Sequence, residues 1–112
     1  MVNKLFVRFE LEKRPKKNDI LSFLKELCNE IRMKPIGKPH IVKGHKNTPL
    51  GTGYTICQII ETSHMIVHQS NKLKTIDIDI YSCKHFSTKK VNLLAKIYFK
   101  PCKFKKSIID NV

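Results

Sequence analysis

Thr75-Ile76-Asp77-Ile78-Asp79-Ile80-Tyr81 alternates without a break between apolar and polar side chains. Successive side chains on a strand point to opposite faces, so Ile76, Ile78 and Ile80 share one face and Asp77, Asp79 and Tyr81 the other. Upstream, Leu5-Phe6-Val7-Arg8-Phe9-Glu10-Leu11 alternates near period two at its end and reads as a first strand, which Arg14-Pro15-Lys16-Lys17 breaks. Asn18 or Asp19 can cap a following helix. In that helix Ile20, Phe23, Leu24, Leu27 and Ile31 recur at three and four residues on one face, and Pro35, Gly37 and Pro39 end it. His40 to Gly44 predicts a short strand and His45 to Gly53 a loop. Tyr54 to Ile60 predicts a buried strand and Met65 to His68 a short extended piece. Downstream, Ser87 caps a second helix whose apolar face is Val91, Leu94, Ala95 and Tyr98. A last strand covers Ile97 to Phe104, with Pro101 arguing for an edge position, and Ser107 to Val112 read as a loose tail. Strand, helix, several strands, helix and strand in that order predict an α+β fold: a two-layer sandwich, one antiparallel or mixed sheet with both helices packed on one face.

The 112 residues fit one domain spanning 1–112. That is short for an enzyme that must enclose a substrate, which favours a homodimer or higher homo-oligomer. With 41% hydrophobic and 28% charged residues the composition is globular and not that of a disordered chain. The formal charge of +13 invites a nucleic-acid partner. Against this, the lysines are spread along the chain, with tight clusters only at Lys13–Lys17 and Lys100–Lys106. The aromatics sit mostly at core-like positions and do not form a basic stacking platform. Nucleic acid is therefore set aside as the main partner. No apolar run reaches the roughly 20 residues of a membrane span, and MVNKLFVRFELEK lacks the apolar core of a signal peptide. Cys28, Cys57, Cys83 and Cys102 form no CxxC, so reduced thiols in a cytoplasm are expected. Cys28, Cys57 and Cys102 are expected in the core, and Cys83 at the end of a strand, partly exposed.

Chemistry concentrates in Glu61-Thr62-Ser63-His64-Met65-Ile66-Val67-His68 and in Asp79-Ile80-Tyr81-Ser82-Cys83. These segments bring a hydroxyl, two imidazoles and a thiol onto neighbouring strands. On an extended strand residues 64, 66 and 68 face one side and 63, 65 and 67 the other, so a turn or twist near Ser63 is required before Ser63 and His68 can meet. Taken singly, each residue has a plainer explanation. Ser63 is an ordinary turn serine, Cys83 a small buried apolar residue, and Asp77 and Asp79 a solvated strand face. A zinc site from His64, His68, Cys83 and His85 would have irregular ligand spacing with no second CxxC, and no metal is expected.

Ser63-His64, His68 four residues further on, Cys83 fifteen after that and Asp79 four before the cysteine together resemble the processing and active-site signature of the small-chain bacterial and archaeal S-adenosylmethionine decarboxylases. The resemblance implies a proenzyme in which the Ser63 hydroxyl attacks the carbonyl of Thr62 and turns the peptide into an ester. His68 then removes the serine α-proton, the chain splits between 62 and 63, and hydrolysis leaves a pyruvoyl group at position 63. A substrate amine forms a Schiff base with that ketone, which accepts the electrons released with carbon dioxide, and Cys83 is the proton donor. Thr55, Thr62 and His64 would support processing, and Glu10, Lys72 and Asp79 would contact substrate. The implied enzyme is a cytoplasmic decarboxylase of spermidine biosynthesis that pairs protomers and shares its site across a dimer interface.

The chain departs from the family pattern at defined places. Thr62 stands where the family has glutamate and Thr55 where it has serine. Gln69-Ser70-Asn71-Lys72 replaces Thr-Trp-Pro-Glu, Pro49 replaces a stacking aromatic, and Lys84 replaces a glycine. The residues for self-cleavage and protonation are kept, while those that recognise S-adenosylmethionine are mostly replaced. Each lost ribose or stacking contact costs on the order of 1–3 kcal/mol, and two of them weaken binding by roughly a hundredfold or more. Two alternatives to an S-adenosylmethionine decarboxylase stay open: a diverged enzyme acting on arginine or ornithine, or a relative that neither processes itself nor catalyses.

Overall fold

A computed structural model describes residues 1–112. The elements run β1 (Val2–Leu11), α1 (Lys17–Glu30), β2 (His40–Lys43), β3 (Gly53–Ile60), β4 (Ser63–Ser70), β5 (Thr75–Phe86), α2 (Thr88–Phe99) and β6 (Cys102–Asp110). They form one six-stranded sheet in the order β2-β3-β4-β5-β1-β6, every neighbouring pair antiparallel. The expected α+β sandwich is therefore what the chain forms, with the antiparallel choice realised throughout.

The alternation at residues 75–81 holds: Ile76, Ile78 and Ile80 are fully buried. They join Leu5, Val7 and Phe9 of β1, Ile56 and Ile60 of β3, and Met65 and Val67 of β4 in one apolar layer, against which α1 lays Ile20, Phe23, Leu24 and Leu27 and α2 lays Val91, Leu94, Ala95 and Phe99. Burying each large side chain in this layer contributes about 1.5–3 kcal/mol. α1 starts at Lys17 with Lys16 in the cap position, so neither Asn18 nor Asp19 is the cap and Asp19 lies in the first turn. Its carboxylate accepts the Lys16 N–H at 3.0 Å, placing an acid at the positive end of the helix. Ser87 caps α2 as expected, accepting the Lys90 N–H at 3.3 Å.

Both helices lie on one face, so the other face of the sheet is open. Directly paired residues share a face, and the registers give its rows: Ile59–His64–Tyr81–Lys4, Cys57–Ile66–Asp79–Phe6 and Thr55–His68–Asp77–Arg8.

Three further expectations are corrected. The last strand starts at Cys102, not Ile97, because the apolar face of α2 continues to Phe99, which is buried. The tail is not loose: Ser107 to Asp110 pair with Val7 to Lys4 at the sheet edge, and Val112 exchanges two hydrogen bonds with the side chain of Asn3. Cys57 and Cys102 are half-buried, because Cys57 sits on the open face and Cys102 begins the edge strand; Cys28 is the core thiol.

Candidate active site

β3 and β4 are joined by the two-residue turn Glu61-Thr62, with Ile60 opposite Ser63. Two-residue hairpins favour residues that tolerate positive φ within the turn. Glu61 and β-branched Thr62 do not take that conformation. Ser63 takes it instead, at φ +150°, a strained setting for a residue with a Cβ that costs on the order of 1–3 kcal/mol. The turn is clamped from outside by Lys34, whose carbonyl accepts the Glu61 N–H at 2.8 Å. From inside it is held by β5, where the Cys83 N–H donates to the Thr62 carbonyl oxygen at 2.9 Å. Ser63 pairs across with Ser82, and its Oγ lies 3.2 Å from Nδ1 of His64, a residue of the open face. Cys83 is exposed. The sequence-predicted Ser63, Thr62, His64 and Cys83 therefore meet at one hairpin.

A second cluster lies on the same face further along β4. His68 Nδ1 is 3.2 Å from Thr55 Oγ1, and Asp77 stands opposite His68 on β5. Arg8 grips Asp77 with two hydrogen bonds, at 2.7 and 2.8 Å. Those bonds raise the Arg8 pKa, partly against the effect of burial, so the guanidinium stays charged. Ser63 and His68 are five positions apart on extended β4, a span of roughly 16 Å. Within one chain the predicted base and the predicted nucleophile are thus apart. Asp79, opposite Ile66, lies between the two clusters.

Glu10 is at the far end of β1, opposite Thr75, with Lys105 Nζ 3.5 Å from its carboxylate. Lys72 is in the exposed β4–β5 turn against Gly51, and Pro49 is in the exposed loop before β3. The main clefts of the chain, the largest about 580 Å³ and lined by Arg14, Lys17, Lys43 and Tyr54 among others, involve none of Ser63, His68 and Cys83. No three His, Cys, Asp or Glu side chains converge as a metal-binding set.

Sequence inspection missed the Arg8–Asp77 pair and buried Ser82. Arg8 and Asp77 are 69 positions apart and carry no local signal; only strand pairing unites them.

The thiols differ in a way that can be measured. Burial pushes the Cys28 thiol up, and it pushes Cys102 up as well with Lys96 opposing. A raised pKa leaves less thiolate at a given pH, and thiolate is the reactive form. Iodoacetamide at mildly alkaline pH should label exposed Cys83 first and Cys28 last, at rates at least about tenfold apart, as followed by peptide mass mapping. Equal labelling of the two would contradict the packing described.

A two-layer α+β chain thus brings a strained serine, a hydrogen-bonded carbonyl and an exposed cysteine to one end of its sheet. The S-adenosylmethionine decarboxylase family model matches residues 8–111. The chain belongs to that family, and the match gives it an S-adenosylmethionine decarboxylase-like function. No curated protein matches it.

Proposed function

We propose that this chain is the proenzyme of a pyruvoyl-dependent decarboxylase of the small-chain bacterial and archaeal type, one domain over 1–112, which cleaves itself between Thr62 and Ser63 and works as a homodimer in the cytoplasm. The observation that carries the reading is the hydrogen bond from the Cys83 N–H to the Thr62 carbonyl oxygen. A backbone donor at that oxygen stabilises the negative charge that develops there when a nucleophile adds to the carbon. Ser63 Oγ is the neighbouring nucleophile. As it adds, the peptide nitrogen of Ser63 leaves and takes the hydroxyl proton, and the strain at φ +150° is released with the peptide bond. Cys83, exposed and next in chain to the Ser82 that pairs with Ser63, then supplies the proton from its thiol.

These residues fit a pyruvoyl group at position 63, since the serine is at the start of a strand and next to an exposed acid. When present, that group supplies a carbonyl which draws off the electron pair left by carbon dioxide.

The homodimer follows from the separation of the two clusters. The α-proton of residue 63 needs a base, and His68 of the same chain is roughly 16 Å away. The open sheet face, with Ile59 42% exposed and Phe6 and Ile66 half-covered, has no layer over it. Two copies stacked by their open faces about a two-fold axis near Ile66 bring His68 and Thr55 of each to Ser63 and Cys83 of the other. An isologous contact of this kind makes two complete sites from two incomplete ones.

S-adenosylmethionine is the substrate by family. Lys72, a cation where the family has a carboxylate, cannot accept hydrogen bonds from ribose hydroxyls and favours a substrate carboxylate, which leaves a basic amino acid such as arginine or ornithine as the second reading. The pathway served is polyamine synthesis.

An intact mass measured under denaturing conditions tests the proposal. Two fragments split at Thr62–Ser63, the C-terminal one lighter than simple hydrolysis gives by the mass of ammonia, are expected. A single uncleaved, hydroxylamine-resistant mass would remove the proposal in favour of a non-catalytic relative whose Thr62 crowds its own carbonyl. Cys83→Ala keeps the backbone N–H and so should still process, but its turnover should fall by roughly 10²–10⁴-fold for lack of the proton donor. Unchanged decarboxylation would take Cys83 out of the reaction.

A further inference from the structure

We infer that Ser82 is a positioning residue that fixes the scissile carbonyl and leaves Ser63 as the one hydroxyl free to attack it. The inference rests on the self-cleavage proposed above. Three hydroxyls meet at the hairpin: Thr62, Ser63 and Ser82. Two of them, Thr62 and Ser82, are held in one hydrogen-bonded chain. The Lys84 N–H donates to Ser82 Oγ at 3.0 Å, the Ser82 and Thr62 hydroxyls share a hydrogen bond at 2.7 Å, and Met33 Sδ lies 3.4 Å from Thr62 Oγ1 and 3.5 Å from Ser82 Oγ. Ser82 has no solvent exposure and Met33 is 5% exposed, so water does not reach the Ser82 hydroxyl. Ser63 Oγ stands outside the chain, with only His64 Nδ1 beside it.

The consequence falls on Thr62. Its side chain is anchored by Ser82 and its carbonyl oxygen by the N–H of the next residue, Cys83. Two anchors from adjacent residues of β5 leave the carbonyl no freedom to swing. Without Ser82, the Cys83 bond is the one anchor left on Thr62 itself, with Lys34 holding only the neighbouring Glu61 N–H, against the strain at Ser63. Attack needs the reacting atoms held close and aligned, and small misplacements are costly. The chain also gives this family member a use for its unusual residue, because a threonine hydroxyl at position 62 shares a hydrogen bond with buried Ser82. Ser82 touches none of the bonds that change: the new bond joins Ser63 Oγ to the Thr62 carbonyl carbon, and the bond from that carbon to the Ser63 nitrogen breaks.

The test follows the intact mass of freshly produced chain with time. Ser82→Ala should slow cleavage by about tenfold, the effect of one lost hydrogen bond, and Ser82→Thr should restore it. Thr62→Val should slow it similarly, and the double variant Ser82→Ala/Thr62→Val should be no slower than either single one, because both remove the same link. A purely structural role predicts instead additive losses that track the melting temperature and are not rescued by threonine; that result overturns the inference. A second readout does not need cleavage. In the uncleavable Ser63→Ala chain, Ser82→Ala should speed hydrogen exchange at the Cys83 amide by about tenfold, and unchanged exchange there overturns the inference. Faster exchange at Cys83, found together with no cleavage when Ser63 is present, supports Ser82 as the anchor of Thr62 and brings down the self-cleavage reading instead.

Discussion

Ser63→Ala leaves the chain at full length, with no fragment ending at Thr62 and no hydroxylamine-sensitive ester. The expected loss of cleavage is complete within detection, because the substitution removes the only oxygen that can carry the ester. Alanine at position 63 keeps the Cβ and with it the strain at φ +150°, so the hairpin, the Cys83–Thr62 hydrogen bond and the fold should be retained. Ser63→Gly makes the complementary control. It removes the same nucleophile but tolerates the backbone conformation, and should raise stability by about 1 kcal/mol while remaining uncleaved. If strain alone drove the break, Ser63→Ala would still split and Ser63→Gly would not. Two fragments of the expected masses from Ser63→Ala would show that position 63 is not the origin of the cofactor. The measurement is an intact mass beside a thermal melt of each variant.

The second large effect concerns which chain supplies the base. Ser63→Ala and His68→Ala produced separately should each fail to yield a pyruvoyl fragment, the first for want of a nucleophile and the second stalling at the ester. Produced together they form heterodimers, in which one site is doubly defective and the other joins Ser63 of one chain to His68 of the other. About half of the His68→Ala chains should then be processed if pairing is random, while the Ser63→Ala chains stay whole. A site built within one chain predicts no processing in the mixture. A mass tag on one of the two chains makes the outcome readable directly. The geometry behind this expectation is simple: Ser63 and His68 stand five positions apart on β4, whose pairing with both neighbouring strands is unbroken between them.

Much of this was legible in local pattern. The alternation of Ile76, Ile78 and Ile80, the helical spacing of Ile20 to Leu27, and the cap at Ser87 reflect constraints that act within a few residues, so the sequence carries them openly. The family was legible too, through the joint spacing of Ser63, His68 and Cys83. The tail was misjudged because Ser107 to Asp110 are polar-flanked and exposed, and become a strand only through β1, about a hundred positions away. Arg8 and Asp77, Met33 and Thr62, and Ser82 and Thr62 are likewise partners by strand pairing and packing, which leave no local period to read. By itself, then, the sequence determined the elements, the face each one buries and the residue types that define the family. The tertiary structure alone decided that Ser63 and Cys83 come to neighbouring strand ends, that the Cys83 N–H meets the Thr62 carbonyl, and that His68 stands elsewhere on an uncovered sheet face. The reason is physical: propensity and periodicity are local energies, whereas hydrogen-bond register across strands is fixed only when the whole core closes.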